Sequence, residues 1–463
     1  MKKSLVIVVI AFLVLGLVSC APSSVGQTDV EQDTQDMESS ETKEAETENG
    51  EMEVDVPDTL TFSTWGDPTF FESGFTGLKD EYPMYSNVTW EVIPGGEDTN
   101  DLLSKFIVDF AAGSWDTMPD IAEMNTTTLG KLVEGDMVVD LTNFIEPYKD
   151  QFSASVIKGV TFDGKIYALP WMPNTAMVWY NSEVFEEAGI NPDDIETWND
   201  YLEAGRIIKD FNFADGEQHY IHDADIGWGP DMQIQMMLQQ QCSGFFDPDT
   251  GELTIDQDPA FANVMNFWNT GFQEGIFMRI EAWSGQWFSS LSEGIIASYI
   301  SANWMDQVIQ FDFENAEGKW RAMPLPAWEP GGVRAAFEGN SANLIVLNKP
   351  EIKEDLIFAY LKHAFLNEEV TGEITAEYRL VPAFQPALSN PYYSEPNPFY
   401  GGQVLGELDK QIQNNSTCSF PYTENYSEVM DIIMSELQNM WAGNQTPQEA
   451  IDNSAEIIRQ SVQ

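Results

Sequence analysis

Cations, histidine and cysteine are all scarce in this 463-residue chain. Lysine plus arginine number 21 against 76 aspartates and glutamates, a formal net charge of −55. A surface so short of cations cannot neutralise phosphates. That excludes nucleic acid as a partner, and charge-driven docking on anionic lipid with it. The only histidines are His219, His222 and His363, which argues against a Ser-His-Asp hydrolase. No G-x-S-x-G, H-E-x-x-H, G-x-x-x-x-G-K-[ST] or G-x-G-x-x-G string occurs, so the common hydrolase, metalloprotease and nucleotide motifs are missing. A glycosidase survives these exclusions. It needs only two carboxyls about 5 to 9 Å apart, and so many acids supply accidental pairs.

Apolar residues make up 43% of the chain and aromatics 12%, far too many for an acidic disordered protein. At about three times the usual ~150-residue domain, more than one core is expected. The N-terminus is an address. Lys2 and Lys3 precede an apolar run from Leu5 to Val18, too short to span a bilayer and right for a secretory leader at residues 1–19. It ends Leu17-Val18-Ser19-Cys20, which resembles the bacterial lipobox, so Cys20 is the expected lipidation site. Acyl chains would hold the mature protein at about 0.8 kcal/mol per buried CH₂. From Ala21 to Asp58 there are 13 acids, one lysine and no aromatic residue. Residues 20–58 are therefore expected to form a lipidated, disordered acidic spacer. With +2 in the leader and −12 in the tail, −45 belongs to the body. So acidic a body suits a salty medium that screens self-repulsion.

In a secreted context Cys242 and Cys418 are free to bridge; the reading favours two separate buried thiols. His219 and His222 lie beside Asp223 and Asp225, a weak metal-like spacing read here as a solvated loop. Asp247 to Ile255 reads as a turn into a strand. It lacks the glycine and the final acid of a calcium loop. No metal and no cofactor is expected.

The body opens with Thr59 to Trp65, an alternating strand stopped by Gly66-Asp67-Pro68. A helical pattern runs from Phe70 to Leu78, then a strand from Val88 to Ile93. Leu102, Leu103, Phe106, Ile107 and Phe110 recur at helical spacing before a short strand at Pro119 to Met124. This alternation implies a parallel, helix-covered sheet. Asp163-Gly164-Lys165 is a tight turn. Thr197 to Asp200 and Thr446 to Glu449 have capping-box form, the second with Pro447 at its tolerated first position.

The fourteen tryptophans are the positive signal. Trp90, Trp179, Trp198, Trp268 and Trp441 lie inside periodic elements and are assigned to the core. Trp65, Trp171, Trp228, Trp283, Trp287 and Trp304 stand at loop signals among acids and amides. An aromatic face covers the apolar face of a pyranose while carboxylates and amides take its hydroxyls, so this set suits a sugar pocket.

The chain resembles the extracellular solute-binding proteins of ABC sugar importers, of the maltose-binding type (family 1). The matching stretches are Leu60 to Trp65, Pro119-Asp120-Ile121, Asp140-Leu141-Thr142 and Gly164 to Trp171. Trp179-Tyr180-Asn181 with Phe185, Ala188-Gly189-Ile190 and Thr197-Trp198 is the most specific. Met323 to Pro326, Gly339-Asn340-Ser341 and Thr446 to Ala450 complete an ordered set through nearly all of the body. The resemblance implies an α/β, two-lobe periplasmic-binding-protein-like fold with hinge crossovers and an interlobe ligand cleft. Crossovers would fall near Leu169-Pro170, from Leu325 to Phe337, and from Leu380 to Pro382. Lobe one would be 59–168 plus 338–379, and lobe two 169–337 plus 380–463. Carried over by position, ligand contacts would include Trp65, Asn125, Trp171, Trp228, Trp304 and Asn340, with Asp67, Trp283, Glu338 and Arg379 beside them. Glu338 stands where relatives often carry glycine and adds a carboxylate to the cleft. The implied activity is binding a sugar or oligosaccharide and delivering it to permease subunits by lobe closure, as a monomer on the outer face of the cell membrane or in the periplasm. The alternatives are a surface-anchored glycoside hydrolase or lyase, and a sensory adaptor that presents ligand to a receptor.

Overall fold

The computed structural model describes residues 57–96, 99–227, 229–247, 250–339, 341–416, 418–423 and 425–462. The leader, Cys20 and the acidic spacer up to residue 56, together with Trp228 and Asn340, lie outside them. The strands are β1 (Thr59–Ser63), β2 (Thr89–Val92), β3 (Ile121–Asn125), β4 (Thr161–Phe162), β5 (Lys165–Ile166), β6 (Leu169–Met172), β7 (Ala176–Asn181), β8 (His222–Asp225), β9 (Phe277–Ile280), β10 (Ser298–Ala302), β11 (Trp320–Pro324) and β12 (Ala342–Val346).

Lobe one is built on a five-stranded sheet in the order β2-β1-β3-β12-β6. β1 pairs parallel to β2 and β3, as the strand–helix alternation predicts. The sheet is nevertheless mixed, because β12, some 220 residues downstream, inserts antiparallel between β3 and β6. Asn125, Ala342 and Met172 thus share one edge of the sheet, at the carboxyl ends of the parallel strands where open α/β sheets bind ligands. The helix Thr69–Glu81 covers one face and buries Phe70, Phe71 and Phe75. At Gly74 it lies so close to the helix Glu354–Phe365 that an added Cβ would stand 2.8 Å from the Ala364 methyl.

Lobe two is built on β10-β7-β11, all antiparallel. β7 is apolar on both faces because both are covered: Ala176 and Val178 enter one core, Met177 and Trp179 another. Both capping boxes form, Thr197 with Asp200 and Thr446 with Glu449. The turn at Asp163 and Gly164 has positive φ at both residues (49° and 77°) and joins β4 to β5.

The first passage between cores comes later than the resemblance implies. β6 pairs inside the lobe-one sheet, so the chain crosses between Met172 and Ala176. It returns between Ala336 and Phe337. These two passages pair with each other: Ala176 donates to the Ala336 carbonyl at 3.0 Å and Glu338 to that of Asn174 at 2.9 Å. Leu380, Ala383 and Phe384 still pack in lobe one, so the third passage also follows its expected place.

Three further expectations are corrected. Cys242 and Cys418 form a disulfide, Cα–Cα 5.2 Å apart, because the helix ending at Gln239 and Cys418 are brought together, the Gln239 side-chain N–H donating to the Cys418 carbonyl. His219 and His222 are buried, not solvated, and His222 opens β8. Among the described residues of 247–255 no strand forms, and a single bridge joins Phe246 to Leu253. The five tryptophans assigned to the core are buried, save that Trp90 is only partly covered. Trp287 is fully buried too. Among the described residues no helix is long and apolar enough to cross a membrane.

Candidate functional site

Two cavities meet at Trp283 and Trp304, which line both. The first, ≈ 390 Å³, is walled mainly by lobe one: the end of β1 with Trp65 and Asp67, Asn125 at the end of β3, Trp171 and Met172 of β6, and Tyr378. Glu123 is part of this wall, only 5% exposed. Its carboxylate accepts from the Thr64 hydroxyl at 2.6 Å and the Trp171 indole N–H at 3.1 Å. Burial outweighs those donors and pushes Glu123 up to about 7. Trp171 is itself packed into the core against Phe70, centroids 4.8 Å apart. It forms wall, not a free platform. Asp67 is exposed, and the Thr69 hydroxyl and N–H hold its carboxyl below the ordinary value.

The second cavity, ≈ 400 Å³, belongs to lobe two and the returning crossover. Glu338 is 8% exposed and anchors it. Its Oε2 accepts from the Trp304 indole N–H at 2.9 Å, the Ala302 N–H at 2.8 Å and the Ser301 hydroxyl at 3.1 Å. Burial, reinforced by the charge of Asp231, pushes Glu338 up to about 7 against those donors. Asp231 begins the helix Asp231–Gln239, and burial raises it to about 6. Deeper in, Asp223 accepts from the Trp287 indole at 2.9 Å and contacts His222 Nδ1 at 2.6 Å. The other ring nitrogen of His222 accepts the Ile300 N–H at 3.1 Å. An imidazolium could not accept there, so His222 is the neutral Nδ1–H tautomer.

Among the described residues Trp283 is the most exposed aromatic of the site, at 51%. It stacks on Trp304 with centroids 5.6 Å apart and planes 26° from parallel. Its φ is +64°, a left-handed conformation that is strained for a bulky residue. The chain holds this indole at the junction of the two cavities despite that strain.

Of the residues singled out from the sequence, Trp65, Asp67, Asn125, Trp171, Trp283, Trp304 and Glu338 line one cavity or both. Arg379 lines neither. Its guanidinium bonds the Gln310 side chain at 3.1 Å and lies over the Tyr392 ring at 4.8 Å. Its neighbour Tyr378 lines the first cavity instead, tied to Gln307 through its carbonyl at 3.0 Å. Asp223 and Asp225, set aside from the sequence as part of a solvated loop, line the second cavity, and Asp231, Tyr299 and Gln307, not singled out from the sequence, line one cavity or the other. Asp231 did carry a signal, an acid directly after Gly229-Pro230 and at a helix start.

Residues 73–370 match the model of the family described as bacterial extracellular solute-binding protein. The arabinooligosaccharide-binding protein of Halalkalibacterium halodurans is 25% identical over 405 residues, 85% of this chain and 86% of that one. Its namesake in Bacillus subtilis is 25% identical over 357 residues, 74% and 79% of the two chains. Among solved structures, the ABC transporter associated binding protein of B. animalis subsp. lactis in complex with β-1,6-galactobiose shares the two-lobe fold. Its TM-score is 0.68 at 22% identity, over 87% of this chain and 96% of that one.

Proposed function

We propose that this chain, which belongs to the bacterial extracellular solute-binding protein family, captures a sugar or oligosaccharide outside the cytoplasm and delivers it to the permease of an ABC importer. The observation that carries this reading is the half-exposed Trp283 stacked on Trp304 between two cavities walled by carboxylates and amides. Indole faces cover the apolar side of a pyranose, and the flanking oxygens accept from its hydroxyls. The names of the two relatives, both arabinooligosaccharide-binding proteins, support a saccharide of more than one ring.

The two walls come from different lobes, so ligand gains both sets of contacts only when the lobes approach. Closure is then selected by its differential affinity for the closed state. Lipid on Cys20 would keep the protein at the outer face of the membrane, where a permease reads the closed form. A thermal-shift screen over mono- and oligosaccharides tests the assignment. A true ligand at 100 times its dissociation constant stabilises by roughly 2.7 kcal/mol, and a flat response across the panel removes the carbohydrate reading.

The raised carboxyls Glu338 and Asp231 in one cavity give a reason to test glycoside hydrolysis as well. Our reading expects labelled oligosaccharides to be bound and returned intact. New reducing ends would establish the enzyme instead.

A further inference from the structure

The composition of the cleft narrows the ligand further. Among the described residues, no lysine or arginine lines either cavity, while Asp223, Asp225, Asp231 and Glu338 line the second. His222, the remaining candidate cation, is held neutral by the Ile300 N–H. The indole N–H groups of Trp171 and Trp304 on the cavity walls, and of Trp287 behind them, are each spent on a carboxylate, and an indole has only one hydrogen to give. Glu338 provides an independent pointer. All three of its donors reach Oε2, so among the described residues Oε1 accepts from nothing, although the side chain is more than nine-tenths buried and forms part of the cavity wall. An acceptor left open on a cavity wall favours a ligand that brings a donor to it. The aromatic faces of Trp268, Trp283, Trp304 and Tyr299 bound the same space, and such faces attract cations as well as sugar rings.

A neutral saccharide brings hydroxyls that accept as well as donate. An ammonium group donates only, carries the charge this cavity lacks, and suits both carboxylate and indole. Resting on the saccharide reading above, we infer that the second cavity selects a saccharide bearing a protonated amine, an amino sugar unit in a mono- or oligosaccharide, over its neutral isostere, and rejects uronic or sulfated sugars.

Calorimetric titration of the full chain with matched sets tests this: glucose, glucosamine and glucuronate; galactose and galactosamine; cellobiose and the β-1,4 disaccharide of glucosamine. In at least one set the amine-bearing member should bind tenfold or more tighter than its neutral counterpart at low ionic strength. That margin should shrink between 50 and 500 mM salt, because the attraction is electrostatic, and the acidic members should not bind. In Glu338→Gln and Asp231→Asn the margin should narrow several-fold, with a melting curve of each variant confirming that it folds. If neutral members bind as well as or better than amines in every set, the amine inference is wrong and the saccharide reading stands. Should no member of any set bind, both fall.

Discussion

Replacing Glu338 with glutamine separates two roles that the carboxylate combines. As an acceptor it holds the Trp304 indole, the Ala302 N–H and the Ser301 hydroxyl. As an acid it is raised from 4.5 to about 7 by burial. A shift of about 2.5 units at 1.36 kcal/mol each is about 3 kcal/mol in favour of the neutral form. The folded state therefore keeps a proton that the unfolded chain has released. Stability linked to this group is greatest below the unfolded value, near 4.5, and is lost as pH rises to about 7. Glutamine keeps an acceptor oxygen and cannot ionise. Glu338→Gln should match the native protein at pH 5 and exceed it by up to about 3 kcal/mol at pH 8. Glu338→Ala leaves buried donors without an acceptor and should cost about 2 to 4 kcal/mol already at pH 5. Guanidinium unfolding followed by tryptophan fluorescence at both pH values, in matched salt, measures each difference. The reasoning is refuted if Glu338→Gln loses equal stability at both pH values, or if Glu338→Ala is neutral at pH 5.

Three other outcomes follow from the same structure. Glu123 and Asp409 are likewise pushed up to about 7 by burial. The native protein should therefore melt highest near pH 5 and lower at pH 8, and Asp409→Asn should flatten that slope; a melting temperature that rises with pH from 5 to 8 would contradict the assignment. The Cys242–Cys418 disulfide closes a separation of 176 residues, for which loop entropy gives about 5 kcal/mol. The double serine variant should show a clearly lower guanidinium midpoint, and a loss under about 1 kcal/mol would mean the unfolded chain is not loosened. Trp283 is half-exposed, so Trp283→Ala should leave the melt within about 1 kcal/mol of native while weakening saccharide binding roughly tenfold; unchanged affinity would remove Trp283 from the site.

What the sequence made legible was mostly local. Both capping boxes depend on residues three apart, and both form. The Asp163-Gly164 turn follows from two neighbours able to adopt positive φ. β1 and β2 announce themselves by alternation and by the turn residues that end them. What stayed hidden was set by distant partners. β12 carries a legible apolar pattern, but nothing in it says that it divides β3 from β6. His222 and Asp223 read as loop because they are polar. They are buried because Ile300, Trp287 and each other satisfy them. Arg379 looked like a ligand contact beside the third crossover, yet the left-handed turn at its own backbone (φ 58°) sets its side chain against Gln310 and Tyr392. The tryptophans at loop signals divided for the same reason. Trp65, Trp283 and Trp304 are left on the cavity walls, while Trp287 is drawn inward by a buried aspartate.

The central claim is that one saccharide bridges two lobes and closes them. Small-angle X-ray scattering of the intact chain, with and without a saccharide found in the thermal-shift screen, addresses it directly. A smaller radius of gyration at saturating ligand, absent with a non-binding sugar, is the result this account predicts. Saturable binding with an unchanged scattering curve would contradict it.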